Sequence, residues 1–142
     1  MHNQTIIGSS KASLWAGRIL STLAVLFFVM DGVMKLFKPA FVVAATLQLG
    51  YPESMIVGIG ATLLLCTLLY VIPRTAVLGA ILVTGYLGGA VASNVRAGTH
   101  LFNIAFPVIM ACLVWAGLWL RDRNVRSLLP LTDNTGREMV SS

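Results

Sequence analysis

Two ionisable side chains stand where charge is expensive. Asp31 closes an apolar run that begins at Ile19, and Lys35 follows four residues later in Met30-Asp31-Gly32-Val33-Met34-Lys35. At that spacing the two share one helical face and can pair. An acid or base near hydrocarbon marks either a paired helix end or a place where something polar is held. The plainer reading is an ion pair that finishes a helix, and a polar foothold for a ligand is the alternative. A second group follows a glycine-rich run, Thr84-Gly85-Tyr86-Leu87-Gly88-Gly89-Ala90-Val91-Ala92, which leads into Asn94, Arg96 and His100. The planar donor fork of Arg96 suits an acidic head group, a ligand oxygen or Asp31 itself. Tyr86 lies two to three helical turns below Arg96, where it could line a pocket between helices. Asp31, Lys35, Tyr86, Asn94, Arg96 and His100 are therefore the candidate ligand-binding residues.

Catalytic and metal chemistry find no matching pattern. His2 and His100 are the only histidines and have no helical spacing to each other. No phosphate-binding loop, serine nucleophile elbow or zinc-protease motif occurs. A single deep carboxylate does not make a multi-step proton relay. The reading leans away from an enzyme, with no cofactor evident.

The elements that must position these residues are membrane spans. The chain has 142 residues, of which 57% are hydrophobic and 11% charged, and its mean hydropathy is +0.86. Soluble domains carry about a quarter charged residues, and a chain this short has too little interior to hide so much apolar surface. Four apolar stretches of spanning length run at about 14–34, 55–72, 75–93 and 104–120. They are continuously apolar, without the alternation of barrel strands, so helices are expected. The fold class is all-α, an integral membrane four-helix transmembrane bundle. Pro73-Arg74 breaks the middle of the chain so briefly that spans two and three form a tight antiparallel hairpin. Between spans one and two, Pro39 opens and Gly50 and Pro52 close a short helix over Ala40 to Leu49, lying in or dipping into the interface. Residues 1–10 and 131–142 read as flexible tails around a single domain at 11–130.

The glycines at 85, 88 and 89, with Ala92, recur at three- and four-residue spacing and predict a flat face for close helix approach. Cys66 and Cys112 sit in separate apolar runs and read as small packing residues. The net charge of +5 does not point to nucleic acid, because the basic residues flank the apolar runs. Lys11, Arg18, Arg74, Arg121, Arg123, Arg126 and Arg137 fall on one side; Lys35, Lys38 and Arg96 fall on the other. Seven against three places both termini in the cytoplasm, and gathers Asp31, Lys35, Glu53, Asn94, Arg96 and His100 at the outer face.

Several motifs carry a family likeness: Asp31-Gly32-Val33-Met34-Lys35-Leu36, Leu49-Gly50-Tyr51-Pro52, the hairpin from Leu68 to Ala80, and the Thr84–Ala92 run. Phe106-Pro107 and Trp119-Leu120-Arg121-Asp122 add to it. The chain resembles the DoxX-like family of small bacterial membrane proteins from about Ala16 to Leu131. The resemblance implies a four-helix bundle in the bacterial inner membrane. Some relatives look like subunits of thiosulfate:quinone oxidoreductases, and others resemble accessory or chaperone-like proteins. Asp31, Lys35, Tyr86 and Arg96 match its recurring polar positions, and Asn94 stands where relatives often have His.

Three functions follow as expectations. The first is binding of a hydrophobic, lipid- or quinone-like molecule, or service as an accessory subunit of a membrane partner. The second, by analogy alone, is a subunit of a quinone-linked oxidoreductase, with a quinone as cofactor. The third is a small transporter or channel built as a homo-oligomer. The expected partners are the lipid bilayer, a hydrophobic small molecule, and a second copy or another membrane protein.

Overall fold

The structure is a computed structural model that describes residues 4–128, with side chains from Lys11 onward. Its long helices are α1 (Gln4–Phe37), α3 (Ile56–Val71), α4 (Ala76–Arg96) and α5 (Leu101–Arg121). α1, α4 and α5 each include a stretch long and apolar enough to cross a membrane, and α3 does so together with the turn that leads into it, over Glu53–Val71. A short α2 (Ala40–Gln48) and a single 3₁₀ turn (Glu53–Met55) join α1 to α3, and a one-and-a-half-turn α6 (Arg123–Leu128) follows α5. The described residues form no strand. The fold is the expected all-α four-helix bundle.

The four long helices run up, down, up and down. α1 packs on α3 and α5, and α4 packs on the same two, so α1 and α4 stand diagonally opposite. One end of the bundle holds the α3–α4 hairpin turn and α6; the other holds α2. Large apolar side chains such as Leu23, Leu26, Leu65, Leu68, Ile81 and Ile109 remain exposed on the outside. That pattern is costly in water and ordinary against lipid tails.

The core is densest towards the hairpin end, around Tyr70, which is fully buried. Its hydroxyl donates to Val114 O at 3.0 Å and accepts from Ser21 Oγ at 2.9 Å, joining α3 to α5 and α1. Arg121 closes the same end: its guanidinium lies 4.9 Å from the Tyr70 ring centroid and donates to Tyr70 O at 3.1 Å. The turn at Pro73-Arg74 is as tight as predicted. Thr75 Oγ1 donates to Leu69 O at 2.8 Å, and Gly79 N already bonds Thr75 O at 2.8 Å.

α2 is bounded by two residues in the left-handed region, Lys38 (φ 50°) and Gly50 (φ 83°). Gly50 N bonds Leu47 O and Tyr51 N bonds Thr46 O, the paired bonds of a Schellman stop. The end of α4 repeats the device at Gly98 (φ 63°), with Gly98 N on Val95 O and Thr99 N on Asn94 O. This stop carries α4 past the expected end near Ser93 to Arg96. α5 likewise starts at Leu101 rather than near Ile104.

Two further boundaries differ from expectation. α1 begins at Gln4 rather than near Leu14, so residues read as a polar tail continue the helix. Once a span has nucleated the helix, adding polar turns costs little. α6 was not expected. Asp122 Oδ1 accepts from Asn124 N at 2.9 Å and caps it, Val125 is buried, and Arg126 Nε bonds Trp119 O at 2.8 Å. The expected tail at 131–142 lies outside the described residues.

Candidate functional site

α3 and α4 meet closely at the hairpin end. A Cβ added at Gly79 would fall into the backbone of Leu69 and Tyr70, so only glycine allows this approach. One and a half turns later the neighbours are gone: a Cβ at Gly85, Gly88 or Gly89 would meet no heavy atom within 4 Å. The glycine run expected to pack against another helix of the bundle does not do so. At about 100° per residue these three glycines lie roughly 80–180° around α4 from Gly79, so they do not share the face that meets Tyr70 of α3.

A cavity of about 580 Å³ lies in the α2 half of the bundle. This volume falls within the usual range of small-molecule pockets. Its walls change character with depth. Phe28, Leu63, Leu87 and Met110 line the deep part, while Asp31, Lys35, Asn94 and Asn103 lie nearer α2. Phe27 and Phe106 meet edge to face, with centroids 5.0 Å apart, and stiffen the wall between α1 and α5. Gly85 and Gly89 of α4 form part of the wall, as do Ile59 and Leu63 of α3.

Asp31 pairs with Lys35 through Oδ2 and Nζ, within α1 itself. Both side chains are partly exposed to the cavity, at 34% and 18%. The pair puts two opposite charges on the wall and leaves it near neutral. Asn94 is largely committed: Nδ2 donates to Ala90 O at 2.9 Å and Oδ1 accepts from Thr99 Oγ1 at 2.8 Å. Three lining groups keep hydrogen-bonding capacity with no side-chain partner among the described residues: the Tyr86 hydroxyl and the Gln48 and Asn103 amides. Pro107, inside α5, has no N–H to offer the Asn103 carbonyl, which adds an acceptor at that level.

α2 forms the roof, contributing Thr46, Gln48 and Leu49. It is pinned from α4. Arg96 Nη2 donates to Leu49 O at 2.9 Å, and its guanidinium lies 5.9 Å from the Tyr51 ring centroid. Tyr51 Oη donates to Ser93 Oγ at 2.7 Å, because the Ser93 proton goes to Gly89 O at 2.8 Å. On the α1 side, Lys38 Nζ lies 3.7 Å from Glu53 Oε1.

Of the six candidate residues, Asp31, Lys35, Tyr86 and Asn94 line the cavity together. Arg96 and His100 do not. Of the partners open to Arg96, Asp31 is not the one it takes: Arg96 bonds Leu49 O, and Asp31 has Lys35 one turn away. His100 is exposed, just before the first turn of α5. Sequence reasoning missed Gln48, Tyr51, Ser93 and Asn103; for Asn103 the signal was Pro107, four residues on. Among the described residues no three His, Cys, Asp or Glu side chains gather to hold a metal ion.

The model of the DoxX-like family matches residues 19–117. The chain belongs to the DoxX-like family. No curated protein and no solved structure matches it. The matched region of this DoxX-like protein contains every cavity-lining residue, from Phe27 to Met110. It stops short of Arg121 and Arg126, which secure the opposite end. Family membership and the four apolar helices together make it a multi-pass membrane protein.

Proposed function

We propose that this DoxX-like protein binds a small molecule with an apolar body and a hydrogen-bonding head, lipid- or quinone-like, inside its helix bundle. The observation that carries this reading is the cavity of about 580 Å³, apolar at depth and polar beneath α2. Polar groups left with spare hydrogen-bonding capacity inside a membrane protein are costly unless something meets them. Tyr86, Gln48 and Asn103 have that capacity, and a quinone or ester head would suit them. Binding in this half of the bundle is also compatible with service to a membrane partner that supplies or consumes the ligand.

The asymmetry of basic residues supports a bacterial inner-membrane orientation with both termini in the cytoplasm. The cavity then opens towards the outer leaflet.

The test is thermal unfolding of the purified protein in detergent with a panel of quinones, monoacylglycerols and phospholipids. At least one class is expected to raise Tm in a concentration-dependent way. Ala90→Phe, which fills the cavity from α4, should abolish that rise and leave the basal Tm unchanged or higher. No stabilisation by any class, or an undiminished rise in the filled variant, refutes the reading.

A further inference from the structure

A cavity with a pinned roof needs another way in. At the α2 end, the Arg96–Leu49 bond and the Tyr51–Ser93 bond hold the roof to α4. On the flank between α3 and α4 nothing comparable closes the wall. Gly85 and Gly89 line the cavity, both are exposed, and neither has a neighbour within 4 Å of where a Cβ would stand. Gly88 extends the bare surface on the same helix. The close α3–α4 contact at Gly79 lies at the hairpin end, away from this flank. The flank lies within the membrane-spanning part of both helices, among exposed apolar residues such as Leu65 and Leu82.

We propose that the cavity is loaded sideways from the bilayer, through the cleft between α3 and α4 that Gly85 and Gly89 keep open, and that its ligand is an uncharged amphiphile. This deepens the ligand-binding reading above and rests on it. The cleft sets the route, because a molecule entering there must already be dissolved in hydrocarbon. The wall sets the charge. Asp31 and Lys35 neutralise one another, and the free groups at Tyr86, Gln48 and Asn103 are uncharged donors and acceptors. A charged head would have no counter-charge left to meet it, and would pay the full cost of leaving water. Entry with the head towards α2 places the apolar body against Phe28, Leu63 and Met110.

The experiment uses the full chain in phospholipid vesicles. The probe is a monoacylglycerol with a photoactivatable diazirine in its acyl chain, added from donor vesicles. Cavity labelling is read by mass spectrometry at peptides containing Leu63 and Met110, as an initial rate and as a plateau. Gly89→Leu, whose added side chain starts in open space at the edge of the cavity, should slow the initial rate about tenfold and lower the plateau by less. Gly88→Leu, on the same bare surface but outside the cavity lining, should change neither. Arg96→Ala, which frees Leu49 O and loosens the roof without touching the cavity wall, should leave the rate unchanged. A fatty-acid anion bearing the same diazirine should give a much lower plateau.

The proposal is overturned if Gly89→Leu labels as fast as the native chain, if Arg96→Ala speeds loading, or if the anion labels equally well. It is also overturned if Gly88→Cys forms an intermolecular disulfide in the native membrane, since a second copy would then cover the cleft. Absence of cavity labelling in the native chain is a separate result. It removes the binding reading itself, whatever the route.

Discussion

Gly79 of α4 lies against the backbone of Tyr70, so that even a methyl group would collide with it. This contact holds the hairpin ends of α3 and α4 together. Gly79→Ala should therefore cost about 2–3 kcal/mol in unfolding from mixed micelles, followed by circular dichroism. Gly85→Ala, on the same helix but with open space around it, should be neutral or stabilising by up to about 1 kcal/mol through helix propensity. Equal effects at the two positions would contradict the difference between a blocked Gly79 and an open Gly85.

Tyr70 is the second half of that contact and the hub of the core. Tyr70→Phe keeps the ring and removes the hydroxyl that serves Val114 O and Ser21 Oγ. Hydrogen bonds between membrane helices average about 0.6 kcal/mol, so a loss of about 1 kcal/mol is expected for the two. Ser21→Ala combined with Tyr70→Phe should cost less than the sum of the two single changes. Strict additivity in that cycle would show that the Ser21–Tyr70 bond contributes nothing.

The Asp31–Lys35 pair is partly exposed, so its breakage costs less than that of a fully buried pair. Lys35→Met should lower stability by about 1–2 kcal/mol, because it leaves Asp31 uncompensated on the cavity wall. Adding Asp31→Asn should restore most of the loss. Unfolding of the two single variants and the double variant in the same detergent measures this. A double variant weaker than Lys35→Met alone would rule out mutual neutralisation as the role of the pair.

Arg96→Ala removes the bond to Leu49 O and the guanidinium beside Tyr51. Amide hydrogen exchange should rise about tenfold in α2, the size expected from losing one charge-assisted bond of about 1.5 kcal/mol. The amides of α3 to α5 should keep their protection. Uniform acceleration across the bundle would mean that Arg96 supports the fold as a whole and not the roof.

The sequence made the spans legible because spanning length and continuous apolar character are set by the bilayer, a constraint that acts locally. The hairpin and α2 were legible for a similar reason: Pro73-Arg74, Pro39 and Gly50 are punctuation with fixed backbone consequences. The glycine run was harder. Spacing shows that a face is flat but not whether a neighbour stands opposite, and that depends on which side of α4 is turned towards α3 and α5. The partner of Arg96 was hidden as well, since a backbone carbonyl such as Leu49 O has no signature in residue types. The cap at Asp122 was visible only as one acid among basic residues, so α6 was missed.

Asp31 and Lys35 belong to one helix, and this has a bearing on motion. Their neutralisation is carried by α1 alone, so α3 and α4 can spread or close without pulling the two charges apart. Breathing of the cavity then does no electrostatic work on that pair. The resistance to widening comes from packing, from the roof bonds and from the lipid around the bundle. Bilayer thickness and lateral pressure, rather than ionic strength, are the variables to which such a bundle answers.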